Sequence, residues 1–301
     1  MKKAQFFYLL RRGFFAGGGG EWSTLVNAFK TRVIADGGTL ESESCIRDDV
    51  KYLIQNPEPV AFTGLLNDYS GAAAAYSLRL LDNTYTGDAI VVRRASDNTT
   101  QSIGFVNNEL DTTSLESFCS GTDGFVATWY DQSGSGNDAA QVDAASQPKI
   151  VSGGTSLGYI ENLTSASNQI LQSSFSYTSG SAFSAFMVVQ NFGKAVFGGT
   201  EVGPYYAVAE SGSANSFSNF SSISYYNNGS SIGTTRGDIY TATSSFAELT
   251  TLATPDSTSG MRLGYSSAEY NFIRMKEYII YDNQTISRTG VENNIITHYG
   301  F

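Results

Sequence analysis

The sequence predicts a mainly β protein: an antiparallel jelly-roll sandwich carrying a short N-terminal helical appendage and one C-terminal helix. Three observations carry this expectation. Charged residues fill only 15 % of the 301 positions, while Gly (31), Tyr (18) and Phe (19) are plentiful, which suits a turn-rich β chain better than a helical bundle. From about Pro59 onward, short runs of β-branched and aromatic residues are punctuated by Gly, Ser, Asn and Asp. No helical periodicity separates these runs, which favours antiparallel pairing over alternating strands and helices.

The chain opens on two lysines and an apolar run that Arg11 and Arg12 cut off at about the minimum length of a secretory signal, so no cleaved signal is expected. After the glycines at 17–20, Trp22, Leu25, Val26, Phe29, Val33 and Ile34 recur at three- and four-residue steps and predict an amphipathic helix closed by Gly37 and Gly38. A second helix is expected over 43–54, with Pro57 just beyond it. Two short helices bury little area alone. Residues 1–58 are therefore expected to anchor the chain to a partner, through Phe6, Phe7, Tyr8, Phe14, Phe15 and Trp22, or to cap the β domain.

Residues 59–301 are expected to form the sandwich, with strands at 89–93, 125–130, 185–192, 205–210, 223–226, 261–265 and 272–281. Asn227-Asn228-Gly229 predicts a hairpin turn, because Asn and Gly accept the positive φ that tight hairpins need. The last helix is expected to begin at Thr289 with Glu292 completing a capping box, and to present Val291, Ile295 and Tyr299 to the sheet.

Function classes narrow by elimination. Eighteen basic against 28 acidic residues give a net charge of −10, which sets long-range repulsion against any broad nucleic-acid surface. No stretch approaches the roughly 20 apolar residues of a membrane span. The single histidine, His298, rules out histidine-rich metal sites and Ser-His-Asp triads, so neither a metal nor a cofactor is expected. Cys45 and Cys119 are expected to be free, buried thiols. Carboxylate chemistry remains, and it needs two acids facing one pocket. Trp129, Tyr205, Tyr206, Tyr225 and Tyr226 are the aromatic side chains that could stack on sugar rings, although aromatics alternating along strands more often serve sheet packing.

Residues 75–141 resemble the start of the catalytic domain of the arabinofuranosidase B family of glycosidases. The resemblance is carried by Ser77, Arg79 and Leu81, then Arg94, Ser96, Asp97, Thr99 and Thr100, then Phe118-Cys119, then the run from Tyr130 through Asp131, Gln132, Ser133 and Asn137 to Asp138. It implies a concanavalin-like sandwich. It further implies Glu210 as nucleophile, after Gly203-Pro204-Tyr205, and a carboxylate shortly after Leu263-Gly264 as acid/base. Glu210 stands one residue closer to the aromatic than in the family pattern, the acid/base position is Ala268 with Glu269 beside it, and the vicinal cysteine pair has no counterpart. The resemblance thus implies a sandwich without hydrolysis or, if it is active, one that uses Glu210 and Glu269.

The segment from Met275 to Asp282 and the helix after it resemble the closing elements of concanavalin-like and laminin-G-like domains. The run from Phe29 to Gly38, with Cys45-Ile46, is similar to segments of tailed-bacteriophage virion proteins. Together these imply a virion structural protein, a capsid decoration, head or tail fibre, or adaptor. Its partners would be other virion proteins, further copies of itself and a host-surface glycan. The alternatives are a glycosidase acting on arabinofuranose-containing polysaccharide and a lectin-like adhesin.

Overall fold

The computed structural model describes residues 62–162, 169–199, 205–209, 213–215, 220–263 and 272–301. The helices are α1 (Leu65–Asp68), α2 (Thr112–Phe118), α3 (Arg236–Ala242) and α4 (Arg288–Tyr299). The strands begin with β1 (Ala74–Ser77), β2 (Ile90–Arg94), β3 (Thr100–Ile103), β4 (Phe105–Val106), β5 (Glu109–Leu110), β6 (Gly124–Trp129), β7 (Ala139–Ala140), β8 (Lys149–Ser152) and β9 (Thr155–Asn162). They continue with β10 (Leu171–Tyr177), β11 (Phe183–Gly199), β12 (Tyr205–Ala209), β13 (Phe220–Asn227), β14 (Ser230–Ile232), β15 (Ala247–Pro255), β16 (Ser259–Leu263) and β17 (Phe272–Tyr281). The domain is mainly β and antiparallel, as the sequence predicts. The expected anchoring segment 1–58, with its aromatic residues and Cys45, lies outside the described residues.

The main sheet follows the order β1-β17-β9-β8-β6-β7-β10-β16-β11-β15-β13-β14, and a further pairing of β17 with β11 closes its central part on itself. The enclosed core holds Tyr76, Trp129, Tyr225, Met187, Val189, Met275, Tyr278 and Ile280. A second core lies between the outer face of β11 and β17 and helix α4, where Phe186, Val188, Ile279 and Tyr281 meet Val291 and Ile295. Strand β11 explains how both cores coexist. Ala185, Met187 and Val189 point inward while Phe186 and Val188 point under α4, so apolar residues run without a break instead of alternating with polar ones.

The hairpin forms as expected: Asn228 and Gly229 take φ of 46° and 79°, and Asn227 pairs with Ser230. The helix start differs. α4 begins after Ser287 rather than Thr289, and it ends at Gly300 with φ of 77°. Glu292 therefore lies a full turn inside the helix, where Arg288 donates to both of its carboxylate oxygens at 2.6 Å, so no capping box can form. Cys119 is a free, buried thiol, and burial pushes its pKa up.

Candidate functional site

The loop that carries the sequence motif, between β6 and β7, is a clasp. Asp131 is 5 % exposed, and its carboxylate accepts four bonds: from the backbone N–H groups of Ala75 (2.8 Å), Ser133 (2.9 Å) and Asn137 (2.9 Å), and from the Ser133 hydroxyl (2.8 Å). Gln132 accepts from the Leu81 N–H at 2.8 Å and donates to the carbonyls of Ser77 and Arg79 at 3.1 and 3.0 Å. Gly134 and Gly136 take the positive φ values, 81° and 73°, that let the loop turn back. Asn137 donates to the Ala73 carbonyl, and the Tyr76 hydroxyl donates to the Asn137 carbonyl. The side chains of Asp131, Gln132 and Asn137 are engaged in tying β1 to β6, so these three motif residues build the fold.

The candidate catalytic region lies on β11 instead. Phe197 pairs with Ala207 of β12 on one edge and with Leu263 of β16 on the other, and Gly198 pairs likewise with Tyr205 and Arg262. Ala209 stands opposite Lys194, and Phe272 opposite Gly193. The chain leading into Glu210, and the chain on both sides of the segment that holds Glu269, thus run along residues 193–198 of one strand from opposite edges. Strand spacing sets those flanking strands about 9–10 Å apart, close enough for side chains from both to share one site. Glu210 and Glu269 themselves lie outside the described residues.

The aromatic candidates divide. Trp129 and Tyr225 are fully buried in the enclosed core, which corrects their expected exposure to sugars. They alternate correctly along their strands, but the face they occupy is the inner one. Tyr226 is half-buried, and its ring is covered by the Arg288 guanidinium at 3.8 Å. Tyr205 and Tyr206 lie on β12, within the strand beside the candidate region. Among the described residues no three His, Cys, Asp or Glu side chains are grouped to hold a metal ion, and no helix is long and apolar enough to cross a membrane.

The family model for the catalytic domain of α-L-arabinofuranosidase B matches residues 68–271. The chain belongs to this arabinofuranosidase B family. The match spans the clasp, β11, β12, β16 and both candidate carboxylates. It overturns the virion structural reading, which rested on a short N-terminal likeness outside the matched residues and on departures at single positions within them. The bacteriophage, capsid and fibre roles fall with it.

Solved structures similar to this arabinofuranosidase B-type domain include an arabinofuranosidase complexed with arabinofuranosyl-α-1,2-xylobiose, at 15 % identity and a TM-score of 0.48. Another is a GH54 α-L-arabinofuranosidase soaked with a cyclic sulfate inhibitor, at 13 % identity and a TM-score of 0.47. Each alignment covers 75 % of this chain and 62 % of the other. No curated protein matches the chain.

The arrangement that sequence reasoning missed in this domain is the ion pair beneath α4. Glu277 is fully buried, and Arg79 binds both its carboxylate oxygens, at 2.7 and 2.9 Å. Ser77 adds a bond at 2.7 Å and the Tyr299 hydroxyl one at 3.2 Å. Burial alone would raise the Glu277 pKa, but the Arg79 charge and these donors hold it below the usual value. Ser77 and Arg79 belong to the family motif, which gives that part of the motif a structural role.

Proposed function

We propose that the chain is an α-L-arabinofuranosidase-type glycoside hydrolase that releases arabinofuranosyl groups from polysaccharide with retention at the anomeric carbon. The observation that carries this reading is the family match over 68–271, which includes Glu210 and Glu269. The antiparallel ladder, which brings the segments flanking both residues to one stretch of β11, supports it. In the first step the Glu210 carboxylate attacks the anomeric carbon while Glu269 gives its proton to the departing glycosidic oxygen. In the second, Glu269 takes a proton from water, whose oxygen displaces Glu210 and restores both groups. This chemistry needs the two carboxyls roughly 5–5.5 Å apart. The family's acid/base position is Ala268 here, and the role is assigned to Glu269, the carboxylate beside it.

The test is hydrolysis of 4-nitrophenyl α-L-arabinofuranoside. The wild-type chain is expected to release 4-nitrophenolate, and Glu210→Gln to lose on the order of 1,000-fold or more in kcat. Glu269→Gln should lose less on this substrate, because 4-nitrophenolate departs with little protonation, and should fall by a further factor on a sugar leaving group. No turnover by the wild-type chain, or full activity in Glu210→Gln, overturns the reading.

A further inference from the structure

Lys276 stands apart from the other cations of the described residues. Arg79 pairs with Glu277, Arg94 with Asp97, Lys149 with Asp123, Arg274 with Glu161 and Arg288 with Glu292. Arg93 donates to Gln147, Asn98 and the Ala144 carbonyl. The half-buried Lys276 ammonium has neither a hydrogen bond nor an ion pair among the described residues, and lies 4.6 Å from the ring centre of Phe246 and 5.6 Å from that of Tyr299. A β-bulge puts it there. The β11–β17 register steps from Val188–Glu277 to Val189–Met275, so Lys276 is the extra residue. Its neighbour Glu277 reaches Arg79, while Lys276 emerges beside Tyr299 at the C-terminal end of α4.

The surroundings form a strip across β9, β17 and β11, flanked by Phe246 just before β15 and by Tyr299 of α4. Arg274 stands between Glu161 of β9 and Gln190 of β11 in the ladder, and its guanidinium lies 4.6 Å over the ring of Tyr159. Tyr159 and Phe246 have ring centres 5.6 Å apart. Burial lowers the Lys276 pKa, and the charge of Glu109, which makes no ion pair with it, only partly offsets that. Gln190 is four residues from Lys194, where the chain into Glu210 pairs, about 13 Å along the strand.

We propose that this strip of Tyr159, Gln190, Phe246, Arg274, Lys276 and Tyr299 is a subsite for a carboxylate-bearing sugar, a uronic acid unit. That unit would belong to the polysaccharide whose arabinofuranosyl groups the neighbouring region removes, so the subsite rests on the hydrolase reading. The carboxylate supplies the acceptor that Lys276 lacks, and the partly exposed rings supply apolar surface for a pyranose. The net charge of −10 opposes unspecific uptake of a polyanion, so binding of one would report a local site.

The experiment measures retention of the full chain on polygalacturonate, on neutral linear arabinan and on poly-glutamate, alongside turnover of 4-nitrophenyl α-L-arabinofuranoside. Wild type is expected to bind polygalacturonate at least tenfold more tightly than either comparison polymer. Lys276→Met, which keeps the apolar stem, should lose at least tenfold of that affinity with turnover unchanged, and Lys276→Arg should retain it. Equal binding of polygalacturonate by wild type and Lys276→Met overturns the subsite, as does no binding by wild type. Equal binding of poly-glutamate overturns the sugar assignment. Absence of turnover with uronate binding intact counts against hydrolysis and leaves the subsite standing.

Discussion

Glu277 and Glu248 occupy equivalent places in the sheet. Each stands directly opposite Val188, one on β17 and the other on β15, and each is fully buried on the face that α4 covers. Their ionisation differs because their partners differ. Glu277 meets the Arg79 guanidinium and two hydroxyls and is held ionised. Glu248 has the Thr250 hydroxyl on one oxygen and no side-chain cation in contact, while its other oxygen, Oε2, makes no hydrogen bond among the described residues. Burial pushes its pKa up to about 8, the nearby Glu292 charge adds to the rise, and Thr250, the Gly229 backbone and the more distant Arg288 only partly offset it. The same residue type, strand position and burial thus give an anion on one side of Val188 and a neutral acid on the other. The presence of a bidentate cation decides which.

The largest effect is expected from breaking the satisfied side. Arg79→Ala leaves the Glu277 carboxylate buried against two hydroxyls, which should cost about 3–5 kcal/mol in urea unfolding at neutral pH. Arg79 also lies 5.6 Å from the ring of Tyr299, so the loss extends to the seating of α4. A change within 1 kcal/mol would mean that Glu277 simply takes up a proton, and that the two sides of Val188 are not different in kind.

The unsatisfied side should be exposed by pH. An unfolded glutamate releases its proton near 4.5, whereas folded Glu248 holds it to about 8. Between those values the folded state binds more protons than the unfolded state, so stability falls as pH rises through this window. The penalty is absent below about 4.5 and complete above about 8. Its slope should approach about 1.4 kcal/mol per pH unit, roughly 3 kcal/mol or more between pH 5 and pH 8. Glu248→Gln should remove that slope and be the more stable protein at pH 8. Identical pH profiles for wild type and variant would show that Glu248 finds a partner that keeps it ionised.

How much of this was legible in the sequence follows from what each signal reports. β2, β6, β13, β16 and β17 announce themselves through β-branched and aromatic runs, and the 227–229 turn through its Asn-Gly pair. β15 does not. Its sequence, Ala-Glu-Leu-Thr-Thr-Leu-Ala-Thr-Pro, reads as polar, yet Glu248, Thr250 and Thr251 are fully buried because the strand is covered on both faces. The apolar run predicts a strand only to 192, yet β11 continues through Gly193 and Gly198 to Gly199, and its last third carries the pairings that define the candidate region. Trp129 and Tyr225 admit both a sugar-stacking and a packing role from sequence, because alternation gives a period and not a face. The Arg79–Glu277 pair joins residues 198 apart, a distance at which no local pattern speaks. The carboxylates of the proposed reaction were visible only through the family motif, since two acids on separate strands leave no periodic trace.

The smallest expected effect isolates backbone from side chain on the Glu248 side. Asn228 takes a positive φ at the hairpin tip, and its Oδ1 accepts from the Glu248 backbone N–H at 2.9 Å. Asn228→Gly keeps the left-handed turn at no steric cost and removes only that bond, so the loss should be about 1 kcal/mol or less in thermal unfolding. The bond holds the main chain of Glu248 and not its carboxyl. The pH at which stability is lost should therefore stay where it is in wild type. If that pH fell toward the ordinary carboxylate range, the turn itself would be what shields Glu248 from water, and the contrast with Glu277 would lie in the rigidity of the cover and not in the missing cation.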